Sequence, residues 1–256
     1  MTPYYADDLV TLYNGDCRDV LPALALSGVR ADCAITDPPY GETSLEWDRW
    51  PGNMWLILLR DATRSLWCFG SMRMFMERSH DFFAPGWRLS QDVVWEKQNG
   101  SGFAADRFKR VHEHITHWYL GDWRGVYHDA QRVPHDGPGK GTVHRQGQPP
   151  HTGTVGPHQW TDDGTRIMRS VIKVRNMWRR GALHPAEKPA GILEPLIRYS
   201  SPPAGLALDP FAGSGSTLVA ARNLGRRAIG VEIEERYCEK AARRLAQQPL
   251  PLGGAA

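Results

Sequence analysis

The last third of the chain alternates between two structural periods in a way that few architectures can satisfy. Pro189 to Tyr199 fits a helix, Leu206-Ala207-Leu208 a buried strand and Ser214 to Leu224 a helix rich in Ala and Leu. Arg227 to Val231 is then a second strand and Glu234 to Leu245 another helix. Parallel neighbours need a crossover between them, so this rhythm calls for a mostly parallel sheet covered by helices. At 256 residues the chain is long enough for one extensive core, and a single α/β domain over residues 1–256 accounts for it.

Between the strand at Leu206 and the helix that follows lies Asp209-Pro210-Phe211-Ala212-Gly213-Ser214-Gly215-Ser216-Thr217, and Glu232 closes the next strand. Glycines at such a turn let the backbone approach a ligand, and an acid about twenty positions on is placed to meet a ribose diol. The third glycine of a dinucleotide fingerprint is absent, as is the Gly-Lys-Ser/Thr of a Walker loop. Turn and acid together leave open which nucleoside is held.

A second strand end is marked near the N-terminus. The apolar run Cys33-Ala34-Ile35-Thr36 meets Asp37-Pro38-Pro39-Tyr40. Two prolines cannot donate to a sheet, and the first keeps Asp37 extended, so the chain must leave the sheet there. The Asp37 carboxylate and the Pro38 carbonyl then face the region beyond the strand end, where open α/β sheets bind ligands. Upstream, Leu9 to Tyr13 reads as a strand closed by Asn14-Gly15-Asp16, with Asp16 capping a helix that begins near Cys17. Downstream, Gly41 to Pro51 is a polar and aromatic loop of the length expected of a substrate-contacting segment. Helices are expected over Met54–Arg64 and Ser71–His80, and strands over Leu66–Gly70, Trp87–Trp95 and Glu113–Tyr119. Asn99-Gly100-Ser101-Gly102 reads as loop, followed by the positive charges of Arg107, Lys109 and Arg110.

A net charge of +3 and an aromatic supply of ten Trp, eight Tyr and seven Phe suit nucleic acid without requiring it. From Asp122 to about Asp163 the chain is rich in Gly, Pro, His and Gln and poor in aliphatics, so it cannot build a core of its own. Arg166, Arg169, Lys173 and Arg175 follow, and in this setting they read as nucleic-acid contacts. Four cysteines without a C-x-x-C spacing read as reduced structural thiols. The His112 to His117 run lacks the second histidine of H-E-x-x-H, so no metal site is expected. No leader-like start and no membrane-length apolar run is seen, which points to a cytoplasmic protein without membrane contact. Residues 247–256, with two Pro and two Gly, read as a disordered tail.

The pair Asp37-Pro38-Pro39-Tyr40 and Asp209-Pro210-Phe211-Ala212-Gly213-Ser214-Gly215-Ser216-Thr217 resembles the β-class S-adenosylmethionine-dependent DNA amino-methyltransferases, in which the catalytic motif precedes the cofactor motif. Gly15-Asp16-Cys17, Trp95-Glu96-Lys97, Val111-His112-Glu113 and His184-Pro185-Ala186-Glu187-Lys188-Pro189 belong to the same resemblance. It implies a Rossmann-like methyltransferase fold with helices on both faces, a circularly permuted motif order and an inserted, partly mobile target-recognition region at 122–181. Asp37, Pro38, Pro39 and Tyr40 would be catalytic, with Asp37 also reaching the cofactor. Asp209, Phe211, Gly213, Ser214, Gly215 and Thr217 would wrap S-adenosylmethionine, and Glu232 would hold its ribose. Asp16 and Cys17 would line its adenine end, and His184 and Lys188 would face its methionine carboxylate. DNA is the implied partner, contacted by Arg107, Lys109, Arg110, Arg166, Arg169, Lys173 and Arg175. N6 of adenine is the favoured acceptor because Asp opens the motif. N4 of cytosine, a catalytically inactive DNA-binding relative, and an RNA or protein-glutamine methyltransferase are the alternatives. A homodimer and a partner restriction endonuclease are left open.

Overall fold

A computed structural model describes residues 1–101, 105–135, 142–147, 155–175 and 187–247. In chain order the elements are β1 (Tyr5–Ala6), β2 (Val10–Asn14), α1 (Cys17–Leu26), β3 (Cys33–Thr36), α2 (Met54–Leu59), β4 (Ser65–Gly70), α3 (Met72–Glu77) and α4 (Ser79–Phe83). There follow β5 (Arg88–Ser101), β6 (Arg110–Tyr119), β7 (Arg132–Pro134), β8 (Thr142–Gly147), β9 (Val155–Thr161), β10 (Thr165–Ile167) and β11 (Val171–Lys173). The chain ends with α5 (Ala190–Ser200), β12 (Leu206–Asp209), α6 (Ser216–Asn223), β13 (Arg227–Glu232) and α7 (Glu235–Ala246).

Nine strands form one sheet in the order β1-β2-β13-β12-β3-β4-β6-β5-β11. From β2 to β4 every pairing is parallel, and β6 then runs antiparallel to both of its neighbours. All residues of β3, β4 and β12 are buried, as a parallel strand covered on both faces requires. Alternation divides them between two helical layers. Ala34, Leu66, Cys68, Leu208, Ile229 and Val231 join one core cluster with Val20, Leu21 and Leu24 of α1 and Trp55, Leu56 and Leu59 of α2. On the other face Trp67 donates its indole N–H to Ser200 Oγ of α5 at 2.8 Å. Gly230 of β13 lies so close to α6 that a Cβ there would sit 2.7 Å from Leu218 Cδ1 and 3.0 Å from Ala212 Cβ.

Connections leave the two middle strands in opposite directions. β12 passes through α6 to β13 on one side, and β3 passes through α2 to β4 on the other. Paired strands whose crossovers diverge in this way leave a crevice at their carboxyl ends, the switch point of an open α/β sheet.

Several boundaries differ from those expected. The helix begun at Met54 stops at Leu59, where Ala62 and Thr63 N–H groups fold back onto the Leu59 carbonyl. The Ser71 cap forms, its Oγ accepting from Met74 N at 2.9 Å, but Arg78 leaves helical geometry and divides the expected helix into α3 and α4. Asn99, Gly100 and Ser101, expected to be loop, belong to β5, because β6 supplies a partner as far as the Ser101–Arg110 pair across an irregularity.

Chain contacts divide the molecule into two compact units, one of Met1–Asp129 with Ser170–Ala256 and a smaller one of Ala130–Arg169. The expected insertion at 122–181 is thus shared between them. Within its later part, β11 pairs in parallel with β5 in the large sheet. The smaller unit contains the antiparallel pairs β7–β10 and β8–β9. Within it the Arg132 guanidinium reaches Asp163 at 3.1 Å and His135 Nε2 lies 2.8 Å from Asp162. No helix among the described residues is long and apolar enough to cross a membrane.

Replacing Gly230 with Ala tests the close approach of β13 to α6. Ala212 Cβ is fixed by backbone, so the variant is expected to lose about 1–3 kcal/mol by overpacking. A urea titration would show this as a lowered midpoint with unchanged slope.

Candidate active site

The two strand ends singled out in the sequence meet at the crevice. Thr36 at the end of β3 donates its hydroxyl to Asp209 Oδ1 at the end of β12, at 2.7 Å. The same oxygen accepts from Phe211 N at 3.1 Å, and the Thr217 hydroxyl also bonds this carboxylate. Burial pushes the Asp209 carboxyl up to about 6, against those three hydrogen bonds, and the Asp37 charge adds to the rise.

After β12 the chain turns through Gly213 (φ 51°) and Gly215 (φ 77°), both left-handed, before α6 begins. The turn brings Gly213 N to within 2.8 Å of Glu232 Oε2, while Glu232 Oε1 accepts from Glu234 N at 2.8 Å. Burial raises the Glu232 carboxyl although both N–H groups stabilise its anion. Asp16 caps α1 by accepting from Arg18 N at 2.8 Å, and the Arg18 guanidinium grips the same carboxylate. The Arg18 hydrogen bonds hold the Asp16 carboxyl below its ordinary range despite partial burial.

A cavity of about 230 Å³ lies between these groups. Of the sequence-predicted residues, Asp16, Cys17, Asp37, Pro39, Phe211, Gly213 and Glu232 line it. Asp209, Ser214 and Thr217 are buried and lie outside the lining, and Asp209 holds the turn through Phe211 N and the Thr217 hydroxyl. Gly215 supplies the left-handed start of α6. His184 lies outside the described residues. Gly15, Pro210 and Val231 also line it, and the wall is completed by Arg18, Trp47, Arg49, Pro51, Ile233, Glu234 and Tyr237, which sequence reading did not single out as site residues. For Trp47, Arg49 and Pro51 a signal existed, since all three belong to the long loop after Tyr40. Burial pushes the Cys17 thiol up to about 12, so it faces the cavity as a neutral thiol.

Residues 31–243 match the profile of the N6_N4_Mtase family, described as DNA methylase. The chain belongs to this DNA methylase family. It is 27% identical over 272 residues to the Type II methyltransferase M.ScaI of Streptomyces caespitosus, a match covering 98% of this chain and 86% of that protein. Its fold is similar to that of M1.HpyAVI, with a TM-score of 0.65 and 20% identity over 94% of this chain and 100% of that one. The cytosine-N4-specific PvuII DNA methyltransferase gives a TM-score of 0.64 and 16% identity over 97% of this chain and 90% of that one.

In this DNA methylase the acid of the first motif sits in a dense charge network. Tyr40 donates its phenol to Asp37 Oδ1, and the Lys188 ammonium bonds Asp37 Oδ2. Lys188 Nζ is also 3.7 Å from Glu113 Oε2, and the other Glu113 oxygen takes the Lys97 ammonium. The order is therefore Asp37, Lys188, Glu113, Lys97, alternating in sign. Burial pushes the Asp37 carboxyl up against the pull of Lys188, and the charge of Glu113 reinforces the rise. Burial works against the Lys188 ammonium, but Asp37 and Glu113 together hold it above its ordinary value. Glu113 is held below its ordinary range, its desolvation outweighed by Lys188 and Lys97. Burial and the adjacent Asp37 charge raise the Tyr40 phenol far above its ordinary value, so it remains a donor. Lys188, expected to face the cofactor's carboxylate, is thus spent on Asp37 and Glu113 in this structure.

The loop after Tyr40 has its own anchor. Asp48, only 6% exposed, accepts from four successive backbone N–H groups. Tyr40 and Gly41 donate to Oδ1 at 2.8 and 2.9 Å, and Glu42 and Thr43 to Oδ2 at 3.1 and 2.7 Å. The basic residues expected to meet DNA lie elsewhere. Arg107 and Lys109 are exposed between β5 and β6 and Arg110 at the start of β6, Lys173 pairs with Glu96 at 2.8 Å and Arg175 is exposed. Arg166 and Arg169 belong to the smaller unit.

Burial opposes the Asp48 anion, but the hydrogen bonds to its carboxylate lower its folded value. Its stabilising contribution is therefore complete above the unfolded value of about 4 and is lost as pH falls through the lowered folded value. Asp48→Ala, which orphans four N–H groups, should cost about 1–3 kcal/mol near neutral pH. The deficit relative to wild type should shrink in acid, as read from urea midpoints at a series of pH values.

Proposed function

We propose that this DNA methylase moves a methyl group from S-adenosylmethionine to N6 of an adenine turned out of duplex DNA. The observation that carries the reading is that Asp37 and Pro39 of one motif and Phe211, Gly213 and Glu232 of the other line a single cavity. The lining also fits the chemistry of the cofactor. Glu232 keeps free lone pairs on both oxygens for ribose hydroxyls, the Gly213 turn admits close approach, and Cys17, Phe211, Ile233 and Tyr237 offer apolar surface to a purine. When bound, S-adenosylmethionine supplies an electrophilic methyl carried on a sulfonium.

The residues of the chain act on the acceptor. An exocyclic base amine is a weak nucleophile because its lone pair is delocalised into the ring. A carboxylate accepting one of its N–H bonds favours a more pyramidal nitrogen, and Asp37 is held for this by Tyr40 on one oxygen and Lys188 on the other. Each of those oxygens retains a lone pair for the amine. The Pro38 carbonyl is the second acceptor, and the Pro38-Pro39 pair fixes both in direction. Tyr40, its main chain anchored through Asp48, supplies the ring against which the base stacks. Once the methyl–nitrogen bond has formed, the nitrogen carries one proton too many, and Asp37, whose carboxyl burial has raised, is the group that takes it. Adenine is preferred to cytosine because the family resemblance associates Asp at the first motif position with N6 transfer. The smaller unit of Ala130–Arg169 is assigned to reading the target sequence, with Arg166 and Arg169 on phosphate.

Radiolabelled methyl transfer to DNA, followed by nucleoside analysis, tests the reading. N6-methyladenine is the expected product, and N4-methylcytosine alone would overturn the choice of base. Asp37→Ala should reduce turnover by about 10²–10³-fold or more while cofactor binding weakens only modestly.

Lys188→Met separates two roles for that lysine. As the counterion of Asp37, its loss raises the Asp37 carboxyl further, so the acid limb of the turnover profile moves to higher pH. A lysine serving only the cofactor's carboxylate would instead weaken cofactor binding and leave the limb in place.

A further inference from the structure

We propose that Phe108, two residues before β6 begins, is a wedge that enters the base stack of duplex DNA beside the target base. The proposal rests on the reading that this chain methylates a base turned out of a duplex.

Phe108 is the most exposed aromatic residue among those described, at 102% relative to a free side chain. Single exposed apolar residues are common on protein surfaces and carry no meaning by themselves. Here the setting supplies one. The ring stands in the run Arg107-Phe108-Lys109-Arg110, with three cations around one apolar group. Arg107 leans on the neighbouring Asp106 at 2.8 Å, and Arg110 is 3.7 Å from Glu42. Lys109 has no acidic partner among the described residues. Solvent-exposed pairs of this kind contribute little, so phosphates can compete for their cations.

The sheet register places the start of β6 beyond the level of the site. Thr36 is level with Cys68, so Asp37 is level with Phe69 and hence with Ile115 on the antiparallel strand β6. β6 begins at Arg110, five residues further in the direction of the carboxyl edge. At the rise of an extended chain, Arg110 therefore lies about 16 Å past the level of Asp37, two residues from Phe108. The β5–β6 pair is tied to the site through Lys97, Glu113, Lys188 and Asp37, and its upper part reaches the loop after Tyr40 through the Arg110–Glu42 contact. Paired strands, an exposed apolar residue and flanking cations beyond the carboxyl edge of the sheet match what a duplex wedge requires. Apolar side chains such as Phe insert between base steps while the cations hold the backbone. The ring would fill the space that the extruded base vacates and so hold the opened state.

The test uses the full-length protein and duplex oligonucleotides carrying the site that the wild type methylates, with the target base either paired or opposite an abasic position. An unpaired target is easier to extrude and needs the wedge less. Phe108→Ala is expected to lose about tenfold or more of its rate on the paired duplex and to return to within about twofold of wild type on the abasic one. Phe108→Leu, which keeps an apolar wedge, should retain most of the paired rate. Equal rates for wild type and Phe108→Ala on paired DNA would overturn the proposal alone, as would an equal loss on both duplexes. A wild type for which no duplex site is methylated at all would overturn the underlying reading and the wedge with it.

Discussion

One hydrogen bond joins the two halves of the site. Thr36 and Asp209 are 173 positions apart in sequence, yet their side chains meet at 2.7 Å across the carboxyl ends of paired parallel strands. That contact is available only because β3 and β12 are neighbours, and the crevice opens there because their crossovers run outward in opposite directions. The crevice is therefore a property of topology, and the Asp37 and Asp209 loops inherit it. A carboxylate as buried as Asp209 needs its donors, and Thr36, Thr217 and Phe211 N supply them. In doing so they lock the turn after β12 to the end of β3.

The alternating charges that follow obey the same logic at higher cost. Four ionised groups in a region largely removed from water would be strongly unfavourable singly, and each here has a neighbour of opposite sign. Removing Lys188 deprives Asp37 of its cation and removing Glu113 deprives Lys97 of its carboxylate, so the row couples β6 and the start of α5 to the acid of the first motif. Asp48 plays a different part. It does not touch the cavity, but it gathers the N–H groups of residues 40–43 that a bend after two prolines would otherwise leave without strand partners.

Most of the frame was legible because its signals are local. Strand length, the prolines that end β3, the Ser71 cap and the glycines before α6 are each decided within a few residues, and both motifs fell where the crevice is. What the sequence did not disclose depends on distant partners. Nothing near Lys188 points to Asp37, which is 151 positions away, and only the fold brings Glu113 to the pair. The extension of β5 through Asn99-Gly100-Ser101 opposes local turn chemistry and exists because β6 runs alongside. Asp48 looked like one more polar residue of a loop, since the geometry that turns four N–H groups toward it is set by the chain as a whole.

A crystal structure with S-adenosylhomocysteine bound is the most direct examination of the central claim, that the two motifs enclose one reaction chamber. The account predicts the ribose hydroxyls within hydrogen-bond reach of Glu232, the purine against Cys17 and Ile233, and the sulfur turned toward Asp37. A ligand seated outside the cavity, or one whose sulfur faces away from Asp37, would contradict it.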